Sequence, residues 1–340
     1  MDWQGKSLKI GAVAIGCAVA LRLFVGGVPG KLLQTITSPE AVAVLLFLET
    51  GRLVRQEAEQ TLPEETTLPQ QTQPAQTEPE ETTLPPQEQA VAVFSRDDAA
   101  LVEVNNVCGY EPNVEEGLIQ ALSWDLTTEA PTVLIVHSHA TESYENTENY
   151  VQSSQYRTKD PAYNVVSIGD RLVQVLEAGG IHAVHDRQLH DSPSYSDSYN
   201  NSRQSVRQYL DQYPTIKLVL DIHRDAVADS DGDQMRFTVD YAGSQVAQLM
   251  LVVGTDASGL QHTQWPQNMS LAVKLHAQLE KRVPGICRPI SFRSQRFNQD
   301  LSPGALIVEV GAAGNTRSEA LAAAEILGQA ILDLAHGTAG

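Results

Sequence analysis

Three apolar runs of this chain end in, or contain, side chains that can hold a metal or move a proton. VLIVHSH (Val133 to His139) closes on His137 and His139, with Glu142 three residues further on. KLVLDIHRD (Lys217 to Asp225) closes on Asp221, His223, Arg224 and Asp225, and GALIVEVG (Gly304 to Gly311) carries Glu309 between valines. Brought to one rim, His139, His223 and Glu309 match a catalytic zinc site: three ligands from His and Asp/Glu, an open position for water, and a further carboxylate as general base. The plain alternative for each histidine is a structural or loop role. For Glu309 it is a salt bridge to Arg224. A carboxylate among Ile307, Val308 and Val310 loses hydration, which is costly unless it is paired or its pKa rises. A raised pKa suits a group that takes a proton from a zinc-activated water and passes it to a leaving amine.

Nucleophilic and phosphate chemistry find less support. The chain has no G-x-S-x-G elbow and no G-x-x-x-x-G-K-[ST] loop, and neither Cys108 nor Cys287 stands in a thiol-nucleophile signature. With three cysteines and Cys17 in an apolar run, Cys108 and Cys287 are the one pair available for a disulfide. His185 and His190 with Asp186 and Asp191 form a second histidine–aspartate group that lines a substrate groove or holds a loop. His182, His262, His276 and His336 have no motif and read as structural or surface residues.

The elements that must position these residues are legible from period and punctuation. Val133 to His139, Ile181 to Asp186, Lys217 to Asp225, Ala247 to Gly254 and Gly304 to Gly311 are short, branched and bounded by turn residues, as buried strands are. Ser167 to Gly180, Ser198 to Pro214, Trp265 to Gly285 and Ser318 to His336 have apolar residues three and four apart, three of them followed by glycine or proline, as helices do. Strand and helix in alternation predict an α/β domain, a mostly parallel central sheet flanked by helices. In such sheets sites form at the carboxyl ends of the strands.

That domain is expected over 91–340, after three other segments. Residues 1–31 contain an apolar run, Ile10 to Val28, of bilayer-spanning length. Lys6 and Lys9 precede it, which predicts an uncleaved signal anchor with a cytoplasmic N-terminus and the globular domain outside the membrane. Arg22 sits near the outer end of the run, where it can snorkel to the interface. Residues 32–59 contain a shorter apolar stretch, read as a juxtamembrane helix. Residues 60–90 are almost entirely Thr, Pro, Gln and Glu, a composition that buries too little apolar surface to order itself and so reads as a disordered linker. The 42 acidic against 23 basic residues give a net charge of −19, which argues against nucleic-acid binding through a general basic surface.

VLIVHSHATESY (Val133 to Tyr144), YNVVSIGDRL (Tyr163 to Leu172), HDRQLHDSPSYSDSYNNS (His185 to Ser202), LVLDIHRDA (Leu218 to Ala226) and PGICRPISFRSQRFNQDLSPGALIVEVGAAGNT (Pro284 to Thr316) together resemble the stage II sporulation protein P family of membrane-anchored cell-wall hydrolases related to zinc-dependent N-acetylmuramoyl-L-alanine amidases. The resemblance implies a zinc amidase-like fold, a Zn2+ cofactor and peptidoglycan as substrate. The bond cut is that between muramic acid and the first alanine of the stem peptide, and cross-link cleavage is also attributed to the family. It further implies action in engulfment during sporulation, with a stage II sporulation protein D-type transglycosylase and a membrane scaffold as partners.

Carried over by motif, His139 and His223 become zinc ligands, with His137 as the alternate to His139, and Glu309 the catalytic glutamate. Related amidases place a second ligand, a glutamate, on the helix after the first strand, where this chain reads DPAYNVVSIGD. Glu142 takes that place in this reading. Arg224, Arg296, Asn298 and His190 are the substrate-binding candidates, the arginines because they pair bidentately with carboxylates. Two rival functions are a non-catalytic wall-binding or scaffold module, and a zinc endopeptidase that cuts only the cross-link.

Overall fold

The computed structural model describes residues 94–337, apart from 123–124, 146–149, 152 and 154. The expected anchor, juxtamembrane segment and linker lie outside the described residues. No helix among the described residues is long and apolar enough to cross a membrane.

In chain order the elements are β1 (Val104–Asn106), α1 (Val114–Ile119), β2 (Val133–Val136), α2 (Val166–Ala178), β3 (Ala183–His185), α3 (Ser198–Gln212), β4 (Leu218–Asp225), β5 (Thr238–Tyr241), β6 (Ser244–Ala247), β7 (Leu249–Gly254), α4 (Trp265–Arg282), β8 (Ile290–Arg293), β9 (Ala305–Ala312) and α5 (Arg317–His336). Seven strands form one sheet in the order β1-β8-β7-β9-β4-β2-β3, and β5 and β6 form a separate hairpin. Every neighbouring pair of the large sheet is parallel except β7 with β9. The mostly parallel α/β sheet expected from the sequence is therefore present, with one antiparallel seam.

Alternation along the strands sorts side chains onto two faces. Leu218, Leu220 and Ile222 of β4, with Leu306, Val308 and Val310 of β9, join the large core built with α2, α4 and α5. Val219 and Ala305 join the smaller core beneath Val206 of α3. The same parity puts Asp221, His223, Ile307 and Glu309 on the α3 face. Both faces are covered, so the central strands are apolar nearly throughout.

Local chemistry fixes the helix ends. Thr316 and Glu319 form a reciprocal capping box at the start of α5, which ends on Gly337 in the left-handed region at φ 66°. Pro266 opens α4, and Lys281 and Arg282 occupy its last turn, where cations favour the dipole. Gly169 on α2 is required by close approach, since a Cβ there would lie 2.6 Å from His185 Nε2 and 2.8 Å from His137 Nε2.

Candidate metal centre

Strand β2 stops at Val136 and the chain turns over residues 138–141, which carries His139 away from the path that β2 had set. His137 stays on the α2 side, fully buried, with Nδ1 2.9 Å from Ile222 O and Nε2 2.7 Å from His185 Nε2. Burial and then His185 push the His137 pKa down to about 3. Both of its nitrogens are occupied, and it belongs to a neutral imidazole pair packed against Gly169. His139, by contrast, meets Glu142 and His223.

His139, Glu142 and His223 offer ligand atoms that all lie within 4.8 Å of one another. His139 Nδ1 is 3.5 Å from Glu142 Oε1, and His223 Nδ1 is 3.5 Å from Glu142 Oε2. His223 Nε2 lies 2.8 Å from Asp221 Oδ1, and Ser138 N and Oγ both donate to Asp221, at 2.7 and 2.6 Å. Asp221 thus sits as a close charge partner at Nε2 and leaves Nδ1 facing the cluster, as carboxylates beside metal-ligating histidines do. Burial alone would lower the His223 pKa, but Asp221 and Glu142 outweigh it and hold it well above the usual histidine range. Burial likewise raises the Glu142 carboxyl, yet Arg224, His139 and His223 together hold it well below the usual carboxylate range.

Glu309 is the direct strand partner of His223, β9 against β4, so the two side chains project side by side on the α3 face. Its Oε2 is shut off from solvent and has no hydrogen-bond partner. Desolvation pushes its pKa up to about 8, against the pull of His223 and with the push of Glu142 and Asp225. Gly311, at φ 68° within β9, sits where the register against β4 shifts.

The other predicted residues are placed as follows. Arg224 is buried; its N–H donates to Glu142 Oε2 at 3.2 Å, and its guanidinium donates to Ser143 O and Tyr156 O at 3.0 and 2.9 Å. It pairs with Glu142 at 3.6 Å, so the salt bridge considered for Glu309 is made to the glutamate next door. His190 Nε2 meets Asp186 Oδ2 at 2.8 Å in a buried pair. Asn298 Nδ2 donates to Tyr199 O and Ser202 Oγ, and Arg296 faces Asp300 and Gln261 O, each at 3.3 Å. His190 is buried, and Asn298 and Arg296 are half-buried. Cys108 and Cys287 are both free thiols.

Two site residues have no sequence signal. Tyr195, exposed in the loop before α3, stacks on the His139 ring at 4.4 Å between centroids, with its hydroxyl 3.5 Å from Nδ1. Arg157 lies over the Tyr195 ring at 4.5 Å, 3.5 Å from Glu142 Oε1 and 2.8 Å from Asp191 Oδ2. A short antiparallel bridge between Glu142 and Arg157 brings this loop to the site, a pairing too local for hydrophobic periodicity to register.

Comparisons with known proteins give a family match and more distant structural likenesses. Stage II sporulation protein P of Bacillus subtilis (strain 168) is 28% identical over 222 residues, covering 61% of this chain and 53% of that protein. The chain thus spans about half the length of the curated relative it matches. Among solved structures, N-acetylmuramoyl-L-alanine amidase AmiC2 of Nostoc punctiforme aligns at 15% identity and a TM-score of 0.36, over 61% of this chain and 96% of that one. The N-acetylmuramoyl-L-alanine amidase from Clostridium difficile 630 aligns at 15% identity and 0.36, over 62% and 97%. Likeness at those scores is too slight to carry a functional inference. The sequence model of stage II sporulation protein P matches residues 40–332, and the chain belongs to that family.

Proposed function

We propose that this chain is a peptidoglycan hydrolase that cleaves the amide between N-acetylmuramic acid and the L-alanine of the stem peptide, with cross-link cleavage as a further activity. The observation that carries the proposal is the meeting of His139, Glu142 and His223 beside Glu309 on the next strand. Two imidazoles and one carboxylate within 4.8 Å, with Nδ1 of His223 turned inward by Asp221, fit a zinc ion by donor type and number. Zinc held there supplies Lewis acidity and brings the pKa of a bound water toward about 7.

The chain's own residues do the rest. Asp221 and Tyr195 hold the two imidazoles in place, and Arg224 and Arg157 hold Glu142. Glu309, whose pKa burial pushes up to about 8, in its ionised form accepts the proton of the attacking water and returns it to the departing alanine nitrogen. In this reading the site works outside the membrane, tethered by an N-terminal anchor through residues 1–31. It acts during engulfment with a transglycosylase and a membrane scaffold.

The experiment is mass spectrometry of products from defined peptidoglycan incubated with the full chain, with and without a zinc chelator. Free stem peptides whose release stops on chelation are the expected result. Fragments cut only at the cross-link make the protein an endopeptidase, and absence of cleavage at any zinc concentration favours a wall-binding module.

A further inference from the structure

A second group of ligand side chains lies on the other face of the sheet. His276 and Glu280 are one turn apart on α4, and Cys287 follows the turn that ends that helix; their ligand atoms lie within 4.8 Å of one another. Residues four apart on a helix share a face. The chain then folds back through Gly285, at φ 85°. Glu280 clamps this return, accepting Gly285 N and Cys287 N, each at 2.8 Å, on its two carboxylate oxygens. Cys287 is tied in turn to the start of β7 by a bridge to Leu249. The cluster is thus fixed on three sides by helix, turn and sheet.

Glu280 on its own is an ordinary loop clamp, and Cys287 Sγ makes a long contact, 3.9 Å, to His276 O and lies beside the Glu280 carboxylate. Those roles leave His276 unexplained. It is 2% exposed, and its Nδ1 is buried with no hydrogen-bond partner. A buried, unsatisfied ring nitrogen is costly, a penalty that a metal ion on that lone pair removes. Imidazole, carboxylate and thiol within reach of one ion select a borderline-soft divalent metal rather than magnesium or calcium, which take oxygen ligands.

We infer that His276, Glu280 and Cys287 form a second, structural zinc site that pins the end of α4 to the edge of β7. As the ion binds, the Cys287 Sγ–H bond breaks, its proton passes to solvent, and a sulfur–metal bond takes its place. The His139 cluster contains no sulfur, so a thiolate signal reports on the second site alone.

The test uses the full chain with Cys17→Ser and Cys108→Ser, which leaves Cys287 as its one thiol, and with His223→Ala to disable the first site. Cobalt(II) is the probe. The expected result is a near-ultraviolet thiolate-to-cobalt charge-transfer band that saturates at one ion per chain and is displaced by zinc. The band should disappear on adding Cys287→Ser, with the metal-free melting temperature of that variant measured as a folding control. No charge-transfer band in the parent protein, or an equal band in the Cys287→Ser protein, overturns the inference. Either result leaves the peptidoglycan assay untouched.

Discussion

Replacing Glu309 with glutamine should make the metal-free protein more stable and enzymatically inert. Glu309 has a folded-state pKa of about 8 against an ordinary 4.5. Between those values the native state binds a proton that the unfolded chain has released, so this residue makes stability fall as pH rises from 4.5 toward 8. At neutral pH the deficit is at most about 3 kcal/mol, at about 1.4 kcal/mol per pH unit. The half-buried position of the residue and the residual cost of burying an amide bring the expected gain to about 1–3 kcal/mol. Oε2 has no hydrogen bond to lose, so the substitution forfeits little. The assay is thermal unfolding of chelated wild type and Glu309→Gln by circular dichroism from about pH 4.5 to pH 8. The variant should melt roughly 2–12 °C higher at neutral pH, with the gap closing toward pH 4.5, and should still bind zinc without cleaving peptidoglycan. A variant that melts lower at neutral pH, or by a margin indifferent to pH, would refute the account of Glu309 as a carboxylate held out of water.

Other outcomes follow from the same contacts. His223→Ala should abolish zinc binding and cleavage while the far-ultraviolet spectrum is kept; full zinc occupancy by metal analysis removes His223 from the ligand set. Asp221→Asn, which loosens the hold on His223 Nε2, should weaken zinc by roughly 10–100-fold in a competition titration. Zinc uptake near neutral pH should release one to two protons, because His223 sits well above and Glu309 at about 8 in the free protein. Calorimetry in buffers of different ionisation enthalpy reads that number, and zero release contradicts both directions. Gly169→Ala should destabilise the fold, since about 1–3 kcal/mol of overpacking against His137 and His185 exceeds the gain of up to about 1 kcal/mol in helix propensity; denaturant unfolding measures the balance.

The strands that carry the site were readable because they are buried on both faces, which leaves continuous branched runs ending in polar residues. Elements without that signature were missed. Strand β1 is three residues at the sheet edge with two exposed asparagines, and α1 has six residues, less than two turns. The hairpin of β5 and β6 turns at Ala242 and Gly243, both at positive φ, without the Asn-Gly or Asp-Gly pair that would have announced it. The antiparallel seam between β7 and β9 follows from how the strands assemble, which local pattern does not encode.

The choice between His137 and His139 shows where pattern stops being enough. Both have the same parity after β2, so alternation alone would send them to one face; the turn over residues 138–141 separates them, leaving His137 with His185 and taking His139 to Glu142. Glu142 was reached by its spacing from His139, yet what makes it a good ligand is not local. Burial works against the charge, but Arg224 from β4 together with His139 and His223 holds it ionised, and Arg157 from another loop pairs with it at 3.5 Å. A carboxylate held charged beside one whose pKa is raised separates a ligand role from a proton-transfer role. It arises here because Arg224, His139 and His223 act together on Glu142, while for Glu309, on the neighbouring strand, the pull of His223 and Arg224 does not offset desolvation and the push of Glu142 and Asp225.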